Sequence, residues 1–580
     1  MARTTLALTS FVSGEFGNKL TGRTDFDKYN SAAKTMENFL VHPQGAATRR
    51  VGTQFIASVK TAAAKTRLIP FEFSTTQTYI LEFGNNYIRF FKDKGQILSG
   101  GSAYEISTPY LTAELFDIKF AQSADVMYIC HPNHEVMKLS RTGHTSWTLA
   151  QVDFTDGPYL ATNSTDTTLT PASASTGTGV NITASAVTGI NGGSGFLATD
   201  VGRIISFNSG KAKITARTNS TVVVCTITTA FTNTNATAAF SLGAFSDTTG
   251  HPSCISFYEQ RLVFAGTISE PQTVFFSKAG DYENMTSGTN ADDAMVYTIA
   301  ANQVNVIRYL KAQRTLVIGT TAAEYTVSAD GTDASITPTN ITIKRQSSYG
   351  SANVDAVTAG NAILFLQKAK RKIRELAYNF DSDSYVAPDL CILNDTVTES
   401  GIVQMEWQQE PDNILWCVRE DGQLAALTYQ RSENVVSWHR HILGGAFGSG
   451  NAVVESIASI SGDLNEDELW CIVKRTVNGA TVRYVECFSD FDFDETTATD
   501  FKFLDSHLSY SGSATTSLSG LSHLEGQSVS ILADGSVHAN KTVSSGAITL
   551  DRSVTKACVG LSYDSILQTM RIEGGATEGT

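Results

Sequence analysis

Along most of this chain, short runs of alternating apolar and polar residues come in pairs, each pair separated by a polar tip. TYILEFGNNYIRFFKD (Thr78 to Asp93) is one example, with Gly84-Asn85-Asn86 at its tip. A period of two on both sides of turn residues predicts two antiparallel strands joined by a hairpin. The pattern recurs in VMYICHPNHEVMKLS (Val126 to Ser140), RLVFAGTISEPQTVFFSK (Arg261 to Lys278), TLVIGTTAAEYTVS (Thr315 to Ser328) and AILFLQKAKRKIRELAY (Ala362 to Tyr378). Two more follow, ILWCVREDGQLAALTY (Ile414 to Tyr429) and LWCIVKRTVNGATVRYVECF (Leu469 to Phe488). Anchored at Ile80, Tyr128, Val263, Val317, Phe365, Trp416 and Trp470, the hairpins step by about 50 residues except across one long gap, which is the spacing of propeller blades. The expectation is an all-β chain with a β-propeller-like core, in which Trp416 and Trp470 lie between neighbouring sheets. A series of stacked β-sandwiches is the competing arrangement.

The long gap is itself patterned. From Thr155 to Gly250 the chain is rich in Ser, Thr and Gly, yet VGRIISFNSG, KAKITARTNSTVVVCTI and TAAFSLGAF alternate as strands do, which predicts a small inserted β module. A further module begins near Thr497, where strand-like runs are separated by Ala533-Asp534-Gly535 and Ser544-Ser545-Gly546. Only DKYNSAAKTMENFL (Asp27 to Leu40) carries apolar residues at helical spacing, Tyr29, Ala32, Met36 and Phe39, and predicts a short N-terminal helical segment. The expected organisation is an N-terminal arm with that helix over 1–60, the first part of the core over 61–154 and the inserted module over 155–250. The second part of the core follows over 251–496, and a C-terminal β-sandwich-like module over 497–580.

Charge narrows the function. The 580 residues carry 43 Lys and Arg against 57 Asp and Glu, a formal net charge of -14, with only 17% charged residues, which argues against a basic nucleic-acid binder. MARTTLALTSFVSGEFG is too weakly apolar for a signal peptide, and no run approaches the roughly 18 apolar residues of a membrane helix, so the chain is expected to fold in a cytoplasm. The eight cysteines are scattered, without a C-x-x-C, mostly in strand-like runs such as LWCV and LWCI, and read as reduced core residues.

The candidate chemistry is sparse. His131 and His134 flank Pro132-Asn133, a sound turn, and no third metal ligand lies near them in sequence, whereas a metal site needs three or four. His439 and His441 alternate on a strand and are expected to face outward on one side. The run DFDFDE (Asp490 to Glu495) departs from an EF-hand, with Glu495 at the glycine position and Phe501 at that of the bidentate Glu, and reads as a solvated face. KAKRKIRE (Lys368 to Glu375) reads as a solvated hairpin tip. SRTGHTSW (Ser140 to Trp147) is a faint likeness of a sialidase Asp-box without the aspartate. G-x-S-x-G, H-E-x-x-H, P-loop and Rossmann fingerprints are missing, so no enzymatic activity, catalytic residue, metal or cofactor is expected.

Several phrases in order resemble one family. SFVSGEFGNKLTGRTDFDKYNSAAKTMENFLVHPQGAATRRVGTQFIA, then GHPSCISFYEQRLVFAGT with PQTVFFSKAGDYENM, ELAYNFDSDSYVAPDL, QEPDNILWCVREDGQLAALTYQRSENVVSWHRH, and FLDSHLSYSG with LSHLEGQSVSILADG, are similar to the tail nozzle proteins of short-tailed bacteriophages, also called tail tubular protein B. The likeness runs nearly end to end, and relatives are expected to continue past RIEGGATEGT. It implies a structural virion protein of the phage tail, assembled in the host bacterial cytoplasm. Such a protein forms a homohexameric ring beneath a tail adaptor protein, meets tail fibres or a tail needle, and encloses the channel through which viral DNA passes without specific binding. The -14 balance leads to the expectation of a net acidic lumen. Within the dense charges of the N-terminal segment, Arg23, Asp25, Arg49 and Arg50 are the candidate ordering or docking residues, against an ordinary solvated arm. Two other classes remain open: a tail-associated glycan-degrading enzyme, which needs a carboxylate cluster at an axis or groove, and a monomeric receptor-binding β-propeller with a pocket at its axis.

Overall fold

The computed structural model describes residues 8–301, 303–331, 334–462, 466–490 and 497–572. Among the described residues the helices are 3-10 segments of three to five residues, and none is long and apolar enough to cross a membrane. Everything else with regular structure is strand.

Each hairpin recognised in the sequence is the central pair of four adjacent antiparallel strands, a blade, which in some cases is part of a larger sheet. The first blade contains Arg67–Ser74, Gln77–Gly84, Tyr87–Lys92 and Glu105–Ser107; the second Lys119–Ser123, Val126–His131, His134–Gly143 and Ser146–Gln151. The third is Cys254–Tyr258, Arg261–Ala265, Thr273–Phe276 and Met295–Thr298; the fourth Ile307–Ala312, Leu316–Thr320, Glu324–Ser328 and Thr342–Ser347. The fifth is Val357–Ala359, Ala362–Leu366, Ile373–Asn379 and Ser384–Val386; the sixth Ile402–Gln408, Ile414–Arg419, Leu424–Gln430 and Val435–His441. The seventh has Val453–Ser461, Asp467–Val477 and Ala480–Phe488, and its fourth strand is Thr53–Ser58 from the N-terminal segment. The fold is all-β and propeller-like. Its turns obey local chemistry: Asn478 and Gly479, like Asp534 and Gly535, take the paired positive φ values that a two-residue hairpin needs to match strand twist.

The chain divides into two compact units. One runs to Phe116, takes in Thr142–Trp147 and resumes at Val354; the other is Asp117–Arg141 with Thr148–Asn353. In the first unit, the opening strand of the sixth blade lies beside those of the fifth and seventh, and the seventh's lies beside the first's. In the second unit the opening strand of the third blade lies beside those of the second and fourth. Apolar faces meet between blades as the anchors predicted. Trp416 packs with Val454, Ile457 and Cys471 of the seventh blade, and Trp470 with Leu68, Ile80 and Phe91 of the first. Ile472, fully buried in the second of these layers, should cost about 0.5–1.5 kcal/mol on truncation to Val. Urea unfolding is expected to show this as a lower midpoint at unchanged slope.

The insertion is a six-stranded sheet ordered Leu169–Pro171, Gly177–Ala184, Val222–Thr229, Gly210–Asn219, Ile204–Phe207, Phe240–Leu242, over a core that includes Ile182, Phe196, Ile205, Val223 and Phe240. The C-terminal module adds Asp505–Ser519, Ala547–Leu561, Ser528–Ala533 and Ser536–Thr542 to the seventh blade through Thr53–Ser58, making one eight-stranded sheet. Its own core gathers Leu524, Val529, Ile531 and Val554. All eight cysteines are buried thiols.

The N-terminal helix is a correction. Asp27–Ser31 is a 3-10 turn, and Ala32–Glu37 is a strand that runs parallel to Gly14–Glu15 and antiparallel to Ile566–Thr569, extending the sixth blade. Ala32 packs into one apolar cluster with Phe16 and Tyr29, and Ala33 and Met36 into another with Val41, while Lys34 between them is exposed, so the apolar spacing does not distinguish helix from strand. Asn38, at φ 58°, then turns the chain into Phe39–Val41. The first sixty residues supply strands to two sheets of the first unit.

Candidate assembly site

Phe39–Val41 and Ala47–Arg49 form a small hairpin, and strand alternation at its exit sends Arg49 and Arg50 to opposite sides. Arg49 stays exposed, its guanidinium carbon 4.6 Å from the Tyr563 ring centre and 5.5 Å from that of Phe503, and it donates to the Tyr563 carbonyl at 3.3 Å. Arg50 turns inward and is 0% exposed.

Every N–H of the Arg50 guanidinium has an acceptor. Nη1 and Nη2 donate to the two carboxylate oxygens of Asp505 at 2.8 and 2.7 Å, a bidentate pair. Nε donates to Asn38 Oδ1 at 2.9 Å, Nη1 also to the Val51 carbonyl at 2.8 Å, and Nη2 to the Ile442 carbonyl at 3.1 Å. The Tyr563 ring lies 3.6 Å from its central carbon. Five fixed donors in a planar fork are what arginine offers and lysine does not.

A second buried pair adjoins the first. Arg475 pairs through both Nη atoms with Glu486, and its Nε donates to the Gly444 carbonyl at 2.7 Å. Thr53 links the two carboxylates, donating through Oγ1 to Glu486 at 2.6 Å and through its backbone N–H to Asp505 at 3.1 Å. Gly444 N–H adds a bond to Asp505 at 2.6 Å. Burial would raise the Asp505 carboxyl, but the charge and hydrogen bonds of Arg50 outweigh it and hold the group below its ordinary range. The Asp505 carboxylate is therefore ionised, and Arg50 neutralises it inside the protein.

Buried histidines flank this junction. His439 and His441, expected to face outward, face inward at 0% exposure. Thr428 Oγ1 donates to the Val41 carbonyl at 2.7 Å, so it accepts from His439 Nε2 at 3.1 Å, and His439 Nδ1 must then accept from His441 Nε2 at 2.8 Å. That chain of bonds fixes one neutral tautomer of each ring. Burial, assisted by the nearby His42, holds His439 down at about 3, and burial with His439 and Arg50 holds His441 well below its ordinary value. On the other side, His507 bonds Ser489 Oγ at 2.8 Å and His523 donates to the Ser506 carbonyl at 2.9 Å while stacking on Phe55. Burial lowers both to about 4.

The candidate residues therefore separate. Arg49 and Arg50 meet the C-terminal segment, whereas Arg23 and Asp25 are exposed and bond each other bidentately at 2.9 and 3.0 Å. Removal of Arg50 perturbs the interior, so a docking role can be probed only at Arg23, Asp25 and Arg49. Asn38, Arg475, Glu486 and Asp505 were not singled out from the sequence. The available signal was opposite charge pointing to one face of adjacent strands, Arg475 in LWCIVKR and Glu486 in RYVECF.

The other motifs resolve simply. His131 and His134 are the last pair of their ladder across the Pro132-Asn133 turn, with Asn133 N–H donating to His131 Nδ1 at 3.2 Å. In the basic tip, Lys372 pairs with Asp389 at 2.8 Å and Arg374 Nη1 donates to the Ala387 carbonyl at 2.6 Å. Asp490 pairs with Lys94, and the rest of the acidic run, Asp492, Asp494 and Glu495, lies outside the described residues.

No protein-family model and no curated protein matches the chain. Among solved structures, the Neurospora crassa Pan2 WD40 domain aligns at 11% identity over 65% of this chain and 89% of its own, with a TM-score of 0.29. The N-terminal domain of Nup159 aligns at 8% identity over 83% and 100%, also at 0.29. A chain of the S. cerevisiae complex of Dbp5 with Nup159 and Gle1 aligns at 9% over 78% and 97%, at 0.27. Likeness at that level carries no functional weight, and the propeller-like arrangement rests on the blades themselves.

Proposed function

We propose that this chain is a structural virion protein, the tail nozzle of a short-tailed bacteriophage, acting as a homohexameric conduit for genome ejection between an adaptor ring and tail fibres. What supports the reading, beside the ordered phrases of the sequence, is the double ion pair at the heart of the first unit. Arg50–Asp505 and Arg475–Glu486 fasten the N-terminal hairpin, the sixth and seventh blades and the C-terminal module to one another. A wall that carries a passing genome must not let its modules shear, and bidentate charged pairs, wholly desolvated, hold a single geometry. Shape performs the task on this reading, and reactive side chains do not.

Multi-angle light scattering on the purified chain, together with negative-stain imaging, tests it. The expected result is a species of six times the chain mass that images as a six-fold ring with a central channel. A chain that stays monomeric at micromolar concentration, and is missing from purified particles, overturns the proposal. In a map of the hexamer the channel wall is expected to be net acidic, and a wall lined mainly by Lys and Arg refutes that part.

A further inference from the structure

Between the fifth and sixth blades lies a cleft of about 980 Å³, unrelated to the buried junction. Trp407 and Tyr429 line it. Trp407 pairs across the ladder with Leu415 and Leu415 with Leu427, and Tyr429 stands two residues beyond Leu427, so both rings project from one face of the sixth blade. Their centres are 6.3 Å apart with planes at 72°. The opposite wall is the turn of the fifth blade from Thr358 to Ala362.

The polar groups form two short series. Asn413 Nδ2 donates to Gln430 Oε1 at 2.8 Å, and Gln430 Nε2 donates to Ser432 Oγ at 3.0 Å. Arg431 Nη1 lies 2.8 Å from Glu375 Oε1, and Glu375, itself 6% exposed, sits against the Tyr429 hydroxyl. Asn361 and Gln409 are exposed on the rim. These pieces favour one kind of ligand. Planar amides both donate and accept, so a row of them can serve the vicinal hydroxyls of a sugar ring. The negative face of an indole takes the C–H face of a pyranose. Because Arg431 and Glu375 offset each other, the cleft has no bare charge to select an anion. Its volume falls in the range that encloses small ligands.

We propose that the Trp407–Tyr429 cleft binds a neutral, hydroxyl-rich oligosaccharide, with a pyranose ring stacked on Trp407 and its hydroxyls on the Asn413 and Gln430 amides, the Ser432 hydroxyl and the Arg431 guanidinium. The site goes beyond the conduit reading and does not depend on it, since sugar binding is read on ring and monomer alike.

Saturation-transfer NMR on the full chain tests the site, with maltohexaose and mannohexaose as neutral probes and a galacturonate hexamer as the acidic one. Transfer to ring protons of at least one neutral hexaose is expected. Affinity should weaken by about tenfold or more in Trp407→Ala, the size of loss typical of an aromatic anchor, while Trp407→Phe retains most of it. Asn361→Trp, an exposed rim change that fills the mouth without touching the core, should also abolish transfer, and it serves if Trp407→Ala does not fold. Absence of transfer to every neutral probe at millimolar concentration overturns the proposal. So does transfer unchanged in the Trp407→Ala and Asn361→Trp variants, or transfer to the acidic hexamer in preference to both neutral ones.

Discussion

Asp505→Ala is expected to destabilise the first unit by about 3–5 kcal/mol, the loss found when one member of a buried ion pair is removed and its partner charge is left without compensation. The mechanism lies in what remains. Arg50 keeps its charge at zero exposure, with two of its five donors unanswered, while the N–H groups of Thr53 and Gly444 lose their acceptor in the same step. All five tryptophans, Trp147, Trp407, Trp416, Trp438 and Trp470, belong to the first unit, so intrinsic fluorescence during urea unfolding follows that unit alone. A double replacement, Arg50→Met with Asp505→Leu, removes both charges and should recover much of the loss, because an apolar pair of similar volume carries no desolvation cost. If the single variant unfolds within about 1 kcal/mol of the unaltered chain, which is the range of an exposed pair, the junction is not what holds the modules together.

How much of this was legible depends on range. The hairpins were readable because strand alternation and turn chemistry are local: Asn478-Gly479 announces its own turn, and LWCIVKR on one side and RYVECF on the other need nothing distant to declare a strand pair. The strand that completes the seventh blade was not readable as such, since Thr53–Ser58 pairs with Ala480–Phe488, more than four hundred positions away. The helix expected over Asp27 to Leu40 failed for a related reason: this strand feeds Ala32 into one apolar cluster and Ala33 and Met36 into another, and only its distant neighbours decide which residues those are. Arg50 stood out as a dense charge in a charge-poor chain, but its partner Asp505 lies 455 residues on, within FKFLDSH, where nothing marks it. For His439 and His441, alternation correctly put both on one side of a strand. Which side is a matter of ladder register, and register placed them against Thr428 and the interior.

Those histidines make the first unit acid-sensitive, with a sign that can be worked out. His439, His441, His507 and His523 are neutral when folded and held far below the value near 6.5 that an unfolded chain restores. A base whose folded pKa is depressed binds its proton preferentially in the unfolded state. Its contribution is therefore complete above about pH 6.5 and falls as pH drops toward the folded values, by about 1.4 kcal/mol per pH unit for each such group. The charges facing these rings do not reverse the direction: His42 beside His439, Arg50 beside His441, and Arg475 beside His523 all disfavour protonation, as does Lys502 beside His507, where Asp505 is the lone opposing charge. Three carboxyls of the same unit, Glu15, Glu72 and Glu82, are raised by burial and work against the trend. Glu82, raised to about 7 by burial and hydrogen-bonded by Tyr87, takes up its proton in the folded state and offsets roughly one histidine between pH 7 and 4.5. The four histidines outweigh the three carboxyls, and the net expectation is a loss on the order of 3 kcal/mol or more between pH 6.5 and 4.5, seen as a fall in the urea midpoint by tryptophan fluorescence. His523→Gln, which retains an N–H for the Ser506 carbonyl but cannot titrate, should flatten that fall by up to about 1.4 kcal/mol per pH unit. A midpoint that holds steady or rises on acidification to pH 4.5 contradicts the account, because it requires these rings to be charged, or equally protonated, in the folded protein.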